Sequence, residues 1–135
     1  MNRGKDIVID GAHNIEGARA LVETWKEVYG DIKPVVIFAA AANKDLPSLI
    51  NIISQIAKKF ICTQPNTPRK LASSEDIARL IPSHITNEYE ESVQNAIKKT
   101  EASDRHVLIV GSLFLAGEAL SILDEENLTF EPSDQ

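Results

Sequence analysis

Lys5-Asp6-Ile7-Val8-Ile9-Asp10-Gly11-Ala12-His13-Asn14 is an apolar run that breaks into a polar, glycine-containing corner and then into a helical pattern. Three β-branched residues in succession, Ile7 to Ile9, predict a strand. Continuous rather than alternating apolarity suits one covered by helices on both faces. Asp10 stands at the strand's carboxyl end, Gly11 permits a tight turn, and Asn14 is placed as a helix N-cap. The helix predicted from there carries Ala18, Leu21, Val22, Trp25, Val28 and Tyr29 at helical spacing and stops at Gly30. An acid, an imidazole and a helix N-terminus thus converge on one corner. In open α/β sheets such corners bind ligands, because free N–H groups and the helix dipole favour anions there.

The pattern repeats downstream. Pro34 precedes a buried strand over Val35–Ala39, and Asp45 caps a helix with Pro47 in its first turn. Leu46, Leu49, Ile50, Ile53, Ile56 and Ala57 form its buried stripe, and Lys58-Lys59 are expected to close it where cations complement the dipole. Phe60–Thr63 is the next strand. The stiff loop Gln64-Pro65-Asn66-Thr67-Pro68-Arg69 follows, then a short helix capped by Ser73 with Asp76, running through Ile77, Leu80 and Ile81 and stopped by Pro82. His84–Tyr89 is the least apolar strand candidate. Ser92 opens a helix with Val93, Ala96 and Ile97 inward, and His106–Val110 is a clear strand. Gly111-Ser112 starts a last helix carrying Leu113, Leu115, Ala116, Leu120 and Leu123. The acidic tail 124–135 is expected to be frayed apart from an edge strand at Leu128-Thr129-Phe130.

Strands alternating with helices predict one α/β domain over residues 1–135, Rossmann-like, with a mostly parallel sheet of about five or six strands covered on both faces. Loops following parallel strands gather along one edge, which brings together Asp10, His13, Asn14, Asn43, Lys44, Asp45, Arg69 and Ser112. The 43% apolar content is ordinary for a soluble domain. With 14 basic against 20 acidic residues and a net charge of −6, nucleic acid and acidic membranes are unfavourable partners. A single cysteine, Cys62, gives no disulfide framework and suits a buried strand position in a reducing, cytoplasmic protein.

Neither a GxxxxGK[ST] nor a GxGxxG segment is present, so the chain has no phosphate cradle of its own for ATP. Metal-ligand spacing such as HExxH is also missing. Asp10 after a first strand suits a ribose-hydroxyl acceptor, a metal ligand or a mere strand-end cap. His13 suits a ligand-contacting imidazole or a polar loop residue. Lys44, a cation set against the dipole at a helix start, suits a carboxylate anchor. Ser112 reads both as an N-cap and as part of a carboxylate socket, whereas His84 and His106 fall on the opposite edge.

Asp10-Gly11-Ala12-His13-Asn14, followed by Gly17-Ala18, resembles the D-G-A-H-N-x-x-G-A motif of folylpolyglutamate synthases and dihydrofolate synthases, members of the Mur ligase superfamily. Later blocks agree in order. Asn43-Lys44-Asp45 resembles the family's D-K-D, residues 63–69 its Pro-rich loop, and Gly111-Ser112-Leu113-Phe114-Leu115-Ala116-Gly117-Glu118 its G-S-L-Y-L-x-G-E. Two features depart from the family: the four-alanine run Ala39–Ala42, where glycine is usual, and Asn43 in place of aspartate. The segment before the first strand is reduced to Arg3-Gly4-Lys5.

The resemblance implies the C-terminal domain of a monomeric, ATP- and Mg²⁺-dependent ligase whose N-terminal domain carries the P-loop. That ligase joins L-glutamate to folate or dihydropteroate through an acyl phosphate. By the same resemblance Asp10 and Asn14 would meet the nucleotide, His13 and Lys44 would be catalytic, and Lys44, Ser112 and His13 would hold glutamate. The isolated domain is expected to be inactive. A reading from another class stays open beside it, a stand-alone, noncatalytic Rossmann-like module that binds anions or nucleotides.

Overall fold

The computed structural model describes residues 6–67, 70–100 and 103–125. Arg69, the Arg3-Gly4-Lys5 segment and the edge strand expected at 128–130 lie outside the described residues. Five strands and five helices alternate: β1 (Asp6–Asp10), α1 (Ile15–Tyr29), β2 (Val35–Phe38), α2 (Leu46–Ser54), β3 (Lys59–Cys62), α3 (Ser74–Leu80), β4 (Thr86–Tyr89), α4 (Val93–Lys98), β5 (His106–Val110) and α5 (Leu113–Glu125). All pairings are parallel, in the order β1-β5-β2-β3-β4. This is the α/β, Rossmann-like sheet that the alternation predicts.

The register separates two cores by the two-residue period of strands. Val8, Leu108, Val36 and Phe60 form one cross-sheet row, facing α1, α2 and α3 with Trp25, Ile50, Ile53 and Ile77. Ile9, Ile109, Ile37 and Ile61 form the next row on the opposite face, beneath α4 and α5 with Val93, Ala96, Leu115, Ala119 and Leu123. Both cores are nearly closed to solvent, yet β1 lies at the sheet's edge with β5 as its one partner.

Local signals set the helix ends. The Asn14 side chain accepts the Gly17 N–H at 2.8 Å, Gly30 closes α1 at a φ of 63°, and Ser73 and Ser92 accept the N–H groups of Asp76 and Asn95. Trp25 Nε1 donates to the Ile32 carbonyl at 2.8 Å, fixing the return into β2. Two expectations are corrected. Helix α2 ends at Ser54 and has no basic residue in its last turn. The Ser54 hydroxyl donates to the Ile50 carbonyl, Gln55 and Ile56 tighten to i→i−3 bonds, and the Lys58 N–H bonds to the Pro34 carbonyl, so Lys58 and Lys59 already belong to the entry of β3. Their charges face Asp104 and Glu88 instead of a helix end. Val28 and Leu113, placed by spacing in the apolar pattern of their helices, are 66% and 60% exposed; Val28 lines the cleft at the outer end of α1, and Leu113 leans toward the first loop.

Gly111 adopts a φ of +118°, and a Cβ there would collide with the Ala39 carbonyl oxygen and come within 2.8 Å of the Phe38 ring. Gly111→Ala should therefore lose about 3 kcal/mol or more, combining a strained backbone with overpacking. Gly117→Ala, in open space on α5, should be neutral or gain about 0.5–1 kcal/mol. Urea unfolding of both variants checks the pair; equal stabilities would refute the close-packing account.

On the far edge, Lys99 and Lys59 hold the Glu88 carboxyl below its ordinary value of 4.5, the hydrogen bond from Lys99 being the larger influence. With the folded value below the unfolded one, this stabilisation is complete above the ordinary value and is lost as pH falls through the folded one. Melting temperatures followed from pH 6 to pH 3 should fall less steeply for Glu88→Gln than for the parent, an ordering that independent slopes would contradict.

Candidate functional site

Helices α1 and α2 leave their strands toward one face, whereas α5 leaves β5 toward the other. Because β5 lies between β1 and β2, both boundaries of its carboxyl end are places where neighbouring connections diverge. Such switch points open a crevice beyond the strand ends. The exits of β1, β5 and β2 stand side by side along it, about 5 Å apart from strand to strand.

The first exit is tightly organised. Asp10 Oδ1 accepts the Ala12 N–H at 2.7 Å, folding the backbone back over the strand end. His13 Nδ1 lies 3.0 Å from the Gly11 carbonyl oxygen. Since a carbonyl only accepts, Nδ1 carries the hydrogen and Nε2 is the nitrogen left to meet a ligand. Asp10, His13 and Asn14 line one cleft of about 670 Å³, which continues past Leu113 and along the outer side of α1 to Trp25 and Tyr29. One end is polar and adjoins the crevice; the other is apolar and borders the open edge of β1.

Lys44 and Ser112 do not line that cleft. Lys44 follows β2, two strand positions from Asp10, in a turn closed by its own N–H on the Ala41 carbonyl at 3.2 Å. Its ammonium has no ion-pair partner among the described residues. Asn43 and Asp45 beside it are exposed, and Asp45 accepts the N–H and hydroxyl of Ser48 as the cap of α2. The four-alanine run before them is ordered: Ala41 bridges Leu71 in antiparallel fashion, the Ala72 N–H bonds to the Ala40 carbonyl and the Ala42 N–H to the Lys70 carbonyl. Ala39 and Ala40 are fully buried, so small side chains serve where two chain segments cross.

Ser112, 5% exposed, caps α5 by accepting the N–H groups of Phe114 and Leu115 at 3.1 and 3.4 Å. The hydroxyl keeps one hydrogen to donate. Among the described residues the Leu113 N–H meets no acceptor, and the first turn of a helix directs such groups at an anion. Sequence reasoning joined the Ser112 hydroxyl with free N–H groups of the helix start, and the Leu113 N–H is one such group.

The exit of β3 contributes features with no motif to reveal them. Thr63 is fully buried with its hydroxyl unpaired among the described residues. Above it, the Asn66 N–H donates to Glu118 Oε1 of α5 at 2.7 Å, and the Ser74 N–H donates to Gln64 Oε1 at 3.1 Å. Cys62 is buried and its thiol is pushed up to about 12 by desolvation, so it is a core residue without reactive character. His84 is exposed before β4, and His106, at the entry of β5, packs edge-on against Tyr29. No three His, Cys, Asp or Glu side chains cluster to hold a metal ion among the described residues, and no described helix is long and apolar enough to cross a membrane.

The family model described as the Mur ligase glutamate ligase domain matches residues 1–113. Dihydrofolate synthase/folylpolyglutamate synthase of Bacillus subtilis is 30% identical over 83% of this chain and 26% of its own length. Folylpolyglutamate synthase of Lacticaseibacillus casei is 29% identical over 82% and 25%. The chain therefore spans about a quarter of the length of these relatives. The fold agrees with solved structures: FolC of Escherichia coli in complex with DHPP and ADP superposes with a TM-score of 0.75 at 18% identity, over 89% of this chain and 29% of that one. Mycobacterium tuberculosis folylpolyglutamate synthase complexed with ADP and AMPPCP gives 0.73 at 22%, over 84% and 29%. A parallel sheet whose switch-point crevice is rimmed by the D-G-A-H-N corner, the lysine turn and the capped start of α5 agrees with that match, and the chain belongs to the Mur ligase family as a glutamate ligase domain of the folylpolyglutamate synthase/dihydrofolate synthase type.

Proposed function

We propose that this chain is the C-terminal, glutamate-delivering domain of an ATP-dependent ligase that extends folate or dihydropteroate with L-glutamate through an acyl phosphate. The observation that carries the reading is the alignment of three strand exits on one crevice, offering an imidazole nitrogen, an unpaired ammonium and an unmet helix N–H. The ammonium and the N–H are donors suited to the carboxylates of a small acidic amino acid, and the imidazole nitrogen is an acceptor suited to its amine. The nucleotide and its phosphates belong to the ligase's other, N-terminal domain, since this chain has no glycine-rich cradle for them. Mg²⁺ belongs there as well, because the carboxylates described here do not form a ligand set. The P-loop domain is then the main partner, and the finished enzyme acts in the cytoplasm as a monomer.

In that arrangement Asp10 and Asn14 face the ribose side of the nucleotide when the domains close. Asp10 supplies acceptor oxygens, and the Asn14 amide nitrogen stays available while its oxygen caps α1. Lys44 pairs with a carboxylate of glutamate, helped by the Leu113 N–H and the remaining Ser112 hydrogen. His13 presents Nε2 to the reacting groups, held in that tautomer by Gly11. The amine nitrogen then bonds to the acyl carbon, the bond from that carbon to the phosphate oxygen breaks, phosphate departs and the nitrogen passes its proton to His13 Nε2. Fixed donors around the tetrahedral intermediate lower its energy without reorganisation.

Three outcomes test this. The 135-residue chain should fold cooperatively yet hydrolyse no ATP, and L-glutamate or ADP should bind it only at millimolar concentrations, on the order of 4 kcal/mol for half a site. Amide shifts in the titration should cluster at residues 10–14, 44 and 112–113; shifts confined to the His84 and His106 edge would place the site elsewhere. In the complete ligase, His13→Ala should lower turnover about 10²-fold with ATP affinity nearly unchanged. Lys44→Ala should raise the glutamate KM at least about tenfold, as expected for a charged hydrogen bond lost in the ground state. Steady-state kinetics with each substrate varied separately measures both. Wild-type turnover in the His13 variant would leave the corner a structural turn, in keeping with a noncatalytic binding module.

A further inference from the structure

We infer that Glu118 is a positioning residue for the incoming amino acid: its carboxylate holds the loop after β3 against α5 and so fixes the far wall of the crevice. The inference rests on the glutamate-binding reading above. The bond from the Asn66 N–H to Glu118 Oε1, 2.7 Å long, joins residues 52 positions apart. An ionised acceptor makes it roughly twice as strong as a neutral one. The loop needs such a tie. It carries Pro65, which donates no N–H, and it covers Thr63, whose fully buried hydroxyl has no partner among the described residues. On the side of the sheet opposite α5, the Ser74 N–H donates to Gln64 Oε1 and secures the start of the loop to α3.

The other end of the latch is rigid. Helix α5 starts directly from Gly111, is capped by Ser112, and sets Leu113 so close to Gly11 that a Cβ there would lie 2.7 Å from Leu113 Cδ2. Through α5, then, the Glu118 carboxylate registers the β3 exit against the β1 and β5 exits, whereas the Ala41–Leu71 bridge ties the following segment to the β2 exit. With the latch closed, the crevice has a fixed wall beyond Lys44. With it open, the wall moves independently of the anion-binding groups, and glutamate affinity drops although none of its direct contacts is altered.

Amide exchange and L-glutamate titration by NMR on the 135-residue chain, with Glu118→Ala and Glu118→Gln, test the inference. Glu118→Ala should lose the Asn66 amide's exchange protection by about tenfold and weaken L-glutamate by a comparable factor, with the melting transition staying cooperative. Glu118→Gln, which keeps an acceptor oxygen, should recover most of both. An Asn66 amide equally protected in the alanine variant overturns the latch. Lost protection with unchanged glutamate affinity overturns the positioning role while leaving the glutamate site intact. Failure of the parent chain to shift at Lys44 or Leu113 with L-glutamate overturns the site itself, and the inference with it.

Discussion

The close approach of three chain exits, at which only glycine and alanine fit, is the constraint on which the rest of this structure depends. Strand β5 ends between β1 and β2, and its chain must turn at once toward the α5 face. Gly111 makes that turn at a φ that side chains rarely adopt, against the Phe38 ring and the Ala39 carbonyl. Gly11 admits Leu113 from the other side, and fully buried Ala39 and Ala40 let the segment around Leu71 cross over β2. Bulk at Gly11 would displace the exposed Leu113 side chain, whereas at Gly111, Ala39 or Ala40 it would separate the exits. A single crevice would then become two, and a ligand with two anionic ends could not be held by groups from different strands.

What the sequence disclosed follows from how locally each feature is determined. Ile7 to Ile9, the Asn14, Ser73 and Ser92 caps and the Gly30 stop are set within a few residues, and each appears where its chemistry demands. Non-local features were hidden. Nothing in the apolar run of β1 says that it is an edge strand, because that depends on where β5 inserts. The length of α2 was overestimated because the periodicity of Ile53, Ile56 and Ala57 continues past Ser54, while the Pro34 carbonyl and the entry of β3 end the helix first. The alanine run looked like a departure from the family pattern. It is the half of an antiparallel crossing whose other half lies 30 residues on, at Leu71. The candidate residues of the first corner were legible as a contiguous motif; the Glu118 contact, spanning 52 positions, was not.

Charge is distributed unequally between the two ends of the sheet. Lys58 and Lys59, at the entry of β3, are paired with Asp104 and Glu88, and Lys99 is shared by Glu88 and Glu90. These exposed and half-exposed pairs contribute little stability individually, of order 0–1 kcal/mol. Their larger effect is to neutralise cations away from the crevice. At the other end, Lys44 carries no such partner among the described residues. In a chain of net charge −6, an anion is repelled on average and attracted where an unpaired cation sits beside an oriented N–H.

The start of α5 shows how structural and binding duties can share one turn. Oxygen lone pairs on Ser112 are occupied by the Phe114 and Leu115 N–H groups, and the Ala116 N–H is taken by the Ser112 carbonyl. The Ala116 bond is the first intrahelical one, so of the four N–H groups before it those of Ser112 and Leu113 are left without a partner among the described residues. A serine cap thus narrows a diffuse helix-terminus field to two adjacent donors at the rim of the crevice, where Leu113 packs on Gly11. Replacing the serine would do more than loosen a cap. It would release two further N–H groups, and in the proposed function a carboxylate met by several equivalent donors would lose its single orientation relative to His13 Nε2.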